Sequence, residues 1–265
     1  MSRLSGEQVK IGYGDSTIIN NLDVAIPDGK VTSIIGPNGC GKSTLLKALS
    51  RLLSIKEGRI NLDGKSIHAT STKEIAKKIA ILPQSPEVPD GLTVGELVSY
   101  GRFPHQKGFG RLTAEDKKEI SWALSVTGTS EFRHRTINDL SGGQRQRVWI
   151  AMALAQRTDI IFLDEPTTYL DICHQLEILN LVKKLNEEEG CTIVMVLHDI
   201  NQAIRFSDHL ITMKAGDIVA TGQTEEVLTK DILEKVFNID GVLDIDPRTG
   251  KPILVTYDLF CQTYS

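Results

Sequence analysis

Gly36-Pro37-Asn38-Gly39-Cys40-Gly41-Lys42-Ser43-Thr44 is the stretch that decides the fold. It fits G-x-x-x-x-G-K-[ST]. Small residues let a backbone curl so that its N–H groups converge on phosphate oxygens. The pattern predicts a strand over 31–35 before the loop and a helix from 42 to about 53 after it. The positive end of that helix adds to the field on a bound anion. Lys42 can reach the β- and γ-phosphates, and the Ser43 hydroxyl suits Mg²⁺, a hard cation that prefers oxygen ligands. Cys40 reads as a small filler in the loop, with a regulatory thiol as the alternative.

Outward from the loop the pattern is α/β. Residues 9–13 and 17–26 read as strands, with Pro27-Asp28-Gly29-Lys30 as a turn. Residues 58–63 read as another strand, closed by Asp63-Gly64. From about 85 to 139 the chain turns helical between proline and glycine breaks. Thr93 with Glu96, and Thr113 with Asp116, have capping-box spacing. Helical apolar spacing runs through Ile120, Ala123, Leu124 and Val126. The α/β pattern then resumes. A strand is expected over 160–163, a helix over 174–186 and a buried strand over 192–197. Residues 210–214 and 217–221 suit a hairpin through Ala215-Gly216. Residues 225–237 read as helical, and the tail beyond shows little pattern.

Bulk composition narrows the class. With 40% hydrophobic and 24% charged residues, the 265-residue chain has ordinary globular composition. A formal charge of -4, with adjacent lysines only in the short pairs Lys77-Lys78, Lys117-Lys118 and Lys183-Lys184, offers no basic face for a duplex, so no nucleic-acid partner is expected. Cys40, Cys173, Cys191 and Cys261 lack CxxC spacing, which speaks against zinc or a redox dithiol and for a reducing compartment. The first residues carry no apolar run of the kind a signal peptide needs. No stretch nears the roughly 20 apolar residues that span a bilayer. The expectation is a soluble chain that meets a membrane only through partners.

Ile160-Ile161-Phe162-Leu163-Asp164-Glu165 sets two carboxylates at the carboxyl end of a strand apolar on both faces. Ligands in open α/β sheets collect at that edge. Asp164 is placed to hold Mg²⁺, usually through water, and Glu165 to orient or deprotonate an attacking water. Hydrolysis of a phosphoanhydride needs chiefly positioning and charge stabilisation. In Leu140-Ser141-Gly142-Gly143-Gln144 a capping serine precedes glycines with bare N–H groups, giving a second anion-binding helix start. One fold cannot aim both anion sites at the same γ-phosphate.

This combination resembles the ATP-binding cassette (ABC) ATPases over essentially the whole chain. The resemblance implies a P-loop NTPase (RecA-like) core, an antiparallel β subdomain and an inserted helical subdomain. The expected boundaries are 1–84 and 145–222 for the core, 85–144 for the helical signature subdomain and 223–265 for a C-terminal extension. It implies a homodimer that sandwiches two ATP molecules. Gly36, Pro37, Asn38, Gly39, Cys40, Gly41, Lys42, Ser43 and Thr44 of one subunit would hold ATP, and Ser141, Gly142, Gly143 and Gln144 of the other would close over it. Gln84 resembles the glutamine that joins core to helical subdomain and contacts Mg²⁺ or water. His198 resembles the switch histidine that bonds the γ-phosphate and helps hold the water-orienting glutamate. Asp171 resembles the loop that crosses the dimer interface, and Tyr13 the aromatic that stacks on adenine. The implied catalytic set is Lys42, Gln84, Glu165 and His198, and the implied Mg²⁺ set Ser43, Gln84 and Asp164. His68, His105, His134, His174 and His209 lack metal-ligand spacing and read as surface or capping residues.

Three segments resemble the iron-chelate and cobalamin importer branch. These are Gly101-Arg102-Phe103-Pro104-His105, the run from Asp164 through Asp171 to His174-Gln175, and Leu197-His198-Asp199-Ile200-Asn201-Gln202-Ala203. The likeness is strongest to ATPases of ferric hydroxamate siderophore importers of Gram-positive bacteria. It implies two copies under two integral-membrane permeases at the cytoplasmic face of the cell membrane, fed by a siderophore-binding lipoprotein. A short permease helix is expected in the groove at about 84–102. The alternatives are a soluble ATPase of iron–sulfur assembly, an exporter subunit, and an importer ATPase for cobalamin or haem.

Overall fold

The computed structural model describes residues 2–84, 91–106 and 111–260. Its elements run β1 (Leu4–Tyr13), β2 (Ser16–Ile26), β3 (Val31–Ile35), α1 (Lys42–Leu49), β4 (Glu57–Leu62), β5 (Lys65–Ser66), α2 (Thr72–Ala76) and β6 (Ile79–Leu82). They continue α3 (Val94–Tyr100), α4 (Ala114–Val126), α5 (Gly142–Ala155), β7 (Ile160–Asp164), α6 (Ile172–Glu189), β8 (Thr192–Val196), α7 (Ile200–Phe206), β9 (His209–Lys214), β10 (Asp217–Gln223), β11 (Ile239–Ile245) and β12 (Pro252–Leu259). The fold is mixed α/β, with parallel core strands, an antiparallel β part and helical regions.

The chain forms two compact units, Met1–His68 with Val194–Ser265, and Ala69–Ile193. In the first, β2, β1, β4 and β5 make an antiparallel sheet. β3 pairs in parallel with β9, with Thr32 opposite His209 and Ile35 opposite Thr212. The neighbours of β3 come from the far end of the chain, so the connection must cross over, which is how parallel strands are joined. All five residues of β3 are buried, as a strand covered on both faces requires. β9 and β10 form the expected hairpin through Ala215 and Gly216, both at positive φ. In the second unit β6 and β7 pair in parallel, Ile79 opposite Ile160 and Leu82 opposite Leu163.

Both expected capping boxes are present. Thr93 accepts from Glu96 N–H and starts α3, and Thr113 accepts from Asp116 N–H and starts α4. At the end of α3 a Cβ on Gly101 would lie 2.2 Å from the Met152 carbonyl oxygen, so only glycine lets α3 reach the backbone of α5. The next residue, Arg102, is buried and locks three helices together. Its Nε donates to Asp116 Oδ1 at 2.8 Å and its Nη1 to the Ala155 carbonyl at 2.8 Å. Burial pushes the Asp116 carboxyl up, but the bonds from Arg102 and Thr113 outweigh it and hold it below the ordinary 3.8. A carboxyl whose folded pKa is depressed contributes stability above its unfolded pKa and loses it as pH falls through the folded value. Asp116→Asn leaves a buried guanidinium without its anion, and urea unfolding of the full chain at neutral pH should show a loss of about 3 kcal/mol. The gap to wild type should close only as the pH drops below 3.8.

Several boundaries differ from expectation. α1 ends at Leu49 rather than near 53, because Ser50 caps it and Arg51 turns to φ 64. α6 begins two residues early, at Ile172, because the Asp171 side chain accepts from His174 N–H. Residues 225–237 do not form one helix but break into short pieces, the last a π-helical turn over Leu233–Phe237 that ends on left-handed Asn238. The tail, expected to be patternless, holds the β11–β12 hairpin. Residues 85–90, at the start of the expected helical region, and Cys261 lie outside the described residues. Among those described, no helix is long and apolar enough to cross a membrane.

Candidate functional site

The first unit carries the phosphate loop, Tyr13 and His198. The loop joins buried β3 to α1, whose first residue is Lys42. Gly36, Gly39 and Gly41 take φ of 154, 76 and 106, so the tight curl rests on glycine conformations. Gly36 is also sterically required, since a Cβ there would lie 2.1 Å from the Met213 carbonyl oxygen on β9. From the turn after β9, Gly216 N–H donates to the Cys40 carbonyl at 2.9 Å. Strand and turn together fix the shape of the loop. Lys42 folds back over it, its Nζ donating to the Gly36 and Pro37 carbonyls at 2.9 Å each. Cys40 is buried, burial pushes its thiol up, and its Sγ packs beside Gly36, as a small filler would. Ser43 and Thr44 occupy the first turn of α1. Tyr13 ends β1 with its ring half exposed. His198 is exposed just after β8, and Asp199 caps α7 by accepting from Gln202 N–H at 2.8 Å.

The second unit carries Gln84, the serine–glycine turn, the acidic pair and Asp171. Ser141 caps α5 through a full capping box with Gln144, at 3.3 Å from Gln144 N–H to the hydroxyl and 3.0 Å from Ser141 N–H to the amide oxygen. Gly142 and Gly143 then open a 14-residue helix with no side chains over its first N–H groups. Gly143 has a packing reason as well. A Cβ there would lie 2.4 Å from His174 Cδ2, and the His174 Nδ1 is held 2.9 Å from both Asp171 carboxylate oxygens. The His174 backbone and ring bonds hold the exposed Asp171 carboxyl below its ordinary value.

At the end of β7, Asp164 is 2% exposed and Glu165 turns into the left-handed region at φ 53. A non-glycine residue there stores about 1 kcal/mol of strain or more. The strained turn aims a carboxylate that is then gripped from two sides. Gln84 Nε2 donates to Glu165 Oε2 in a short hydrogen bond, and Thr168 Oγ1 donates to the same oxygen at 3.1 Å. Thr168 was not among the expected site residues. Its signal is local, because a threonine three residues beyond Glu165 in a Pro-containing turn is placed to bond back. His174 was expected only to cap or face solvent, and its contact with Gly143 has no local signal. His105 does bond structurally, to the Gln156 carbonyl at 2.8 Å.

Ser43 in the first unit, and Gln84 and Asp164 in the second, each carry an oxygen donor of the kind a hard cation such as magnesium prefers. No group of three or more His, Cys, Asp or Glu that could hold a metal occurs among the described residues. Mg²⁺ is characteristically held by one or two carboxylates plus waters and substrate phosphates, not by an all-protein cage.

Known proteins resemble the chain at both levels. A family model described as ABC transporter matches residues 19–168. The iron(3+)-hydroxamate import ATP-binding protein FhuC of Bacillus subtilis is 60% identical, over 98% of this chain and 96% of its own. The ferric enterobactin transport ATP-binding protein FepC of Escherichia coli is 48% identical, over 96% of this chain and 94% of its own. Among solved structures, an inward-facing metal-chelate type ABC transporter superposes with a TM-score of 0.82 at 27% identity, covering 96% of each chain. A dimeric ATP-binding cassette in a post-hydrolysis state with ADP and Pi gives 0.72 at 33% identity, over 83% of this chain and 98% of that one.

Proposed function

The chain belongs to the ABC transporter family, and on that premise we propose that it powers import of ferric siderophores, ferric hydroxamates first among them, by ATP-driven closure of a homodimer. The observation that carries the substrate class is the 60% identity to a hydroxamate-import ATPase across 98% of this chain. The chemistry rests on the residues described above. The Gly36–Thr44 loop binds the phosphates, with Lys42 turning its Nζ from the loop carbonyls to the β- and γ-phosphates. Tyr13 stacks on adenine. Ser141, Gly142, Gly143 and Gln144 present the start of α5 to the γ-phosphate bound by the other protomer, where bare N–H groups and the helix dipole favour an anion. Asp171 faces that same interface. Glu165 orients and deprotonates the attacking water, with Gln84 and Thr168 holding its carboxylate, and His198 bonds the γ-phosphate. Ser43, Gln84 and Asp164 would hold Mg²⁺, which neutralises charge on the phosphates.

Closure and reopening of the dimer would drive two membrane permeases at the cytoplasmic face, supplied by a siderophore-binding lipoprotein. Their contact belongs near the end of α3. There Tyr100 and Phe103 stack at 5.0 Å between ring centroids yet stay 38% and 58% exposed. Such an exposed apolar pair suits a docking helix.

Uptake of radio-iron-labelled hydroxamate, catecholate and labelled cobalamin by a gene-deletion strain tests the substrate class. Hydroxamate uptake should vanish and return with the wild-type gene, but not with Ser141→Arg, whose side chain fills the second phosphate site. Hydroxamate uptake that survives deletion, while cobalamin uptake is lost, would move the chain to a different cargo.

A further inference from the structure

Helix α7 begins two residues beyond His198, and the C-terminal hairpin holds it at both ends. Near its start, Asn201 pairs with the backbone of β12. Its Nδ2 donates to the Leu254 carbonyl at 3.0 Å, and its Oδ1 accepts from Leu254 N–H at 2.8 Å. At the other end Lys251 Nζ donates to the Ile204 carbonyl at 3.2 Å and, in a short bond, to the Ser207 carbonyl. Between the two anchors, Ile204 and Leu254 share a buried cluster with Leu228 and Leu233. Phe237, Ile239 and Leu243 pack against that cluster.

α7 has only seven residues. Isolated helices shorter than about 12–15 residues are marginal in water, so tertiary contacts must set where this one points. Upstream, β8 is wholly buried, and Leu197 N–H donates to the Ile34 carbonyl of β3 at 3.3 Å. His198 therefore sits on a short joint between a fixed strand and a helix whose direction the hairpin sets. On its open side is a cavity of 390 Å³ lined by His198, Asp199, Asn201, Phe237, Leu254 and Tyr257. That space leaves the joint room to swing once the clamp is loosened.

We propose that Asn201 is a positioning residue for His198. Through its paired bonds to Leu254, the C-terminal hairpin fixes the angle of α7 and with it the place of the imidazole. The proposal rests on the reading of His198 as the γ-phosphate contact. Lys251 grips the opposite end of α7.

The test is ATP hydrolysis by the full-length chain and its N201A, N201D, H198A and N201A/H198A variants, with ATP affinity measured separately. N201A should lose about tenfold in kcat, because displacing a group from productive geometry costs rate. Its ATP affinity should stay within about twofold, since the lost interaction is made in the hydrolytic step. N201D keeps the bond accepted from Leu254 N–H but sets a carboxylate oxygen against the Leu254 carbonyl, so its kcat should fall at least as far as that of N201A. The double variant should match H198A, because residues that act as a unit are not additive. Wild-type kcat in N201A beside an impaired H198A, or additive losses in the double variant, overturns the proposal. Wild-type turnover in H198A overturns instead the reading of His198 beneath it. Should N201A not fold, N201D and its double variant with H198A carry the same comparison.

Discussion

Glu165→Gln should lower ATP turnover by about a thousandfold, in the range expected for loss of a general base, while ATP still binds and the dimer accumulates closed. The change is nearly isosteric. The Gln84 amide and the Thr168 hydroxyl both donate to Glu165 Oε2. A glutamine carbonyl oxygen can accept from the same donors, so the side chain should keep its place at the strained turn. What disappears is the negative charge and the basicity. Binding free energy from the phosphate loop and the serine-capped helix start remains, and the closed pair is no longer released by hydrolysis. Size-exclusion chromatography with ATP should show a dimer for the variant where wild type returns to monomer. Turnover near the wild-type value would remove Glu165 from the water-activating role.

Lys42→Ala should weaken ATP binding by about a hundredfold, roughly 3 kcal/mol, the cost of removing one partner of a buried charge pair. Lys42 is 5% exposed, and its Nζ is held by two loop carbonyls. The ammonium is thus already desolvated within the curl before phosphate arrives. Because that cost is met in the free chain, exchanging the two carbonyls for phosphate oxygens should give a large net gain, and its loss should be correspondingly large. Calorimetry with the full-length variant measures the affinity, and thermal melting without nucleotide controls for folding. Wild-type affinity would contradict the role of the loop as the phosphate site.

Much of this was legible in local sequence. The strand before the loop is Val31–Ile35, the span the sequence reading predicts, because a short apolar-bounded run meets a glycine cluster there and period and breakers agree. The capping boxes at Thr93 and Thr113 and the serine cap at Ser141 were readable for the same reason, since a cap is an interaction over three residues. The end of α1 is not legible locally, because Leu52 and Leu53 continue an apolar pattern although Leu52 is 59% exposed. The C-terminal hairpin does carry a local signal. Asp246-Pro247-Arg248-Thr249-Gly250 is a turn sequence between two apolar runs, and Asp246 accepts from Arg248 N–H at 3.0 Å. Long-range pairings were beyond local reading. Gln84 and Glu165 are 81 residues apart, and Asn201 and Leu254 are 53 apart. The motifs supply the residue types, but only the folded chain shows which side chain grips which.

The contact of His174 with Gly143 ties two stretches of chain into one part. The imidazole fills the space a methyl group would need on Gly143, and Asp171 holds that ring in place. Neither stretch can be exchanged alone. A chimera that grafts residues 141–144 from a distant homologue would need residues 171–174 from the same donor, or the grafted turn would meet a ring shaped for a different neighbour.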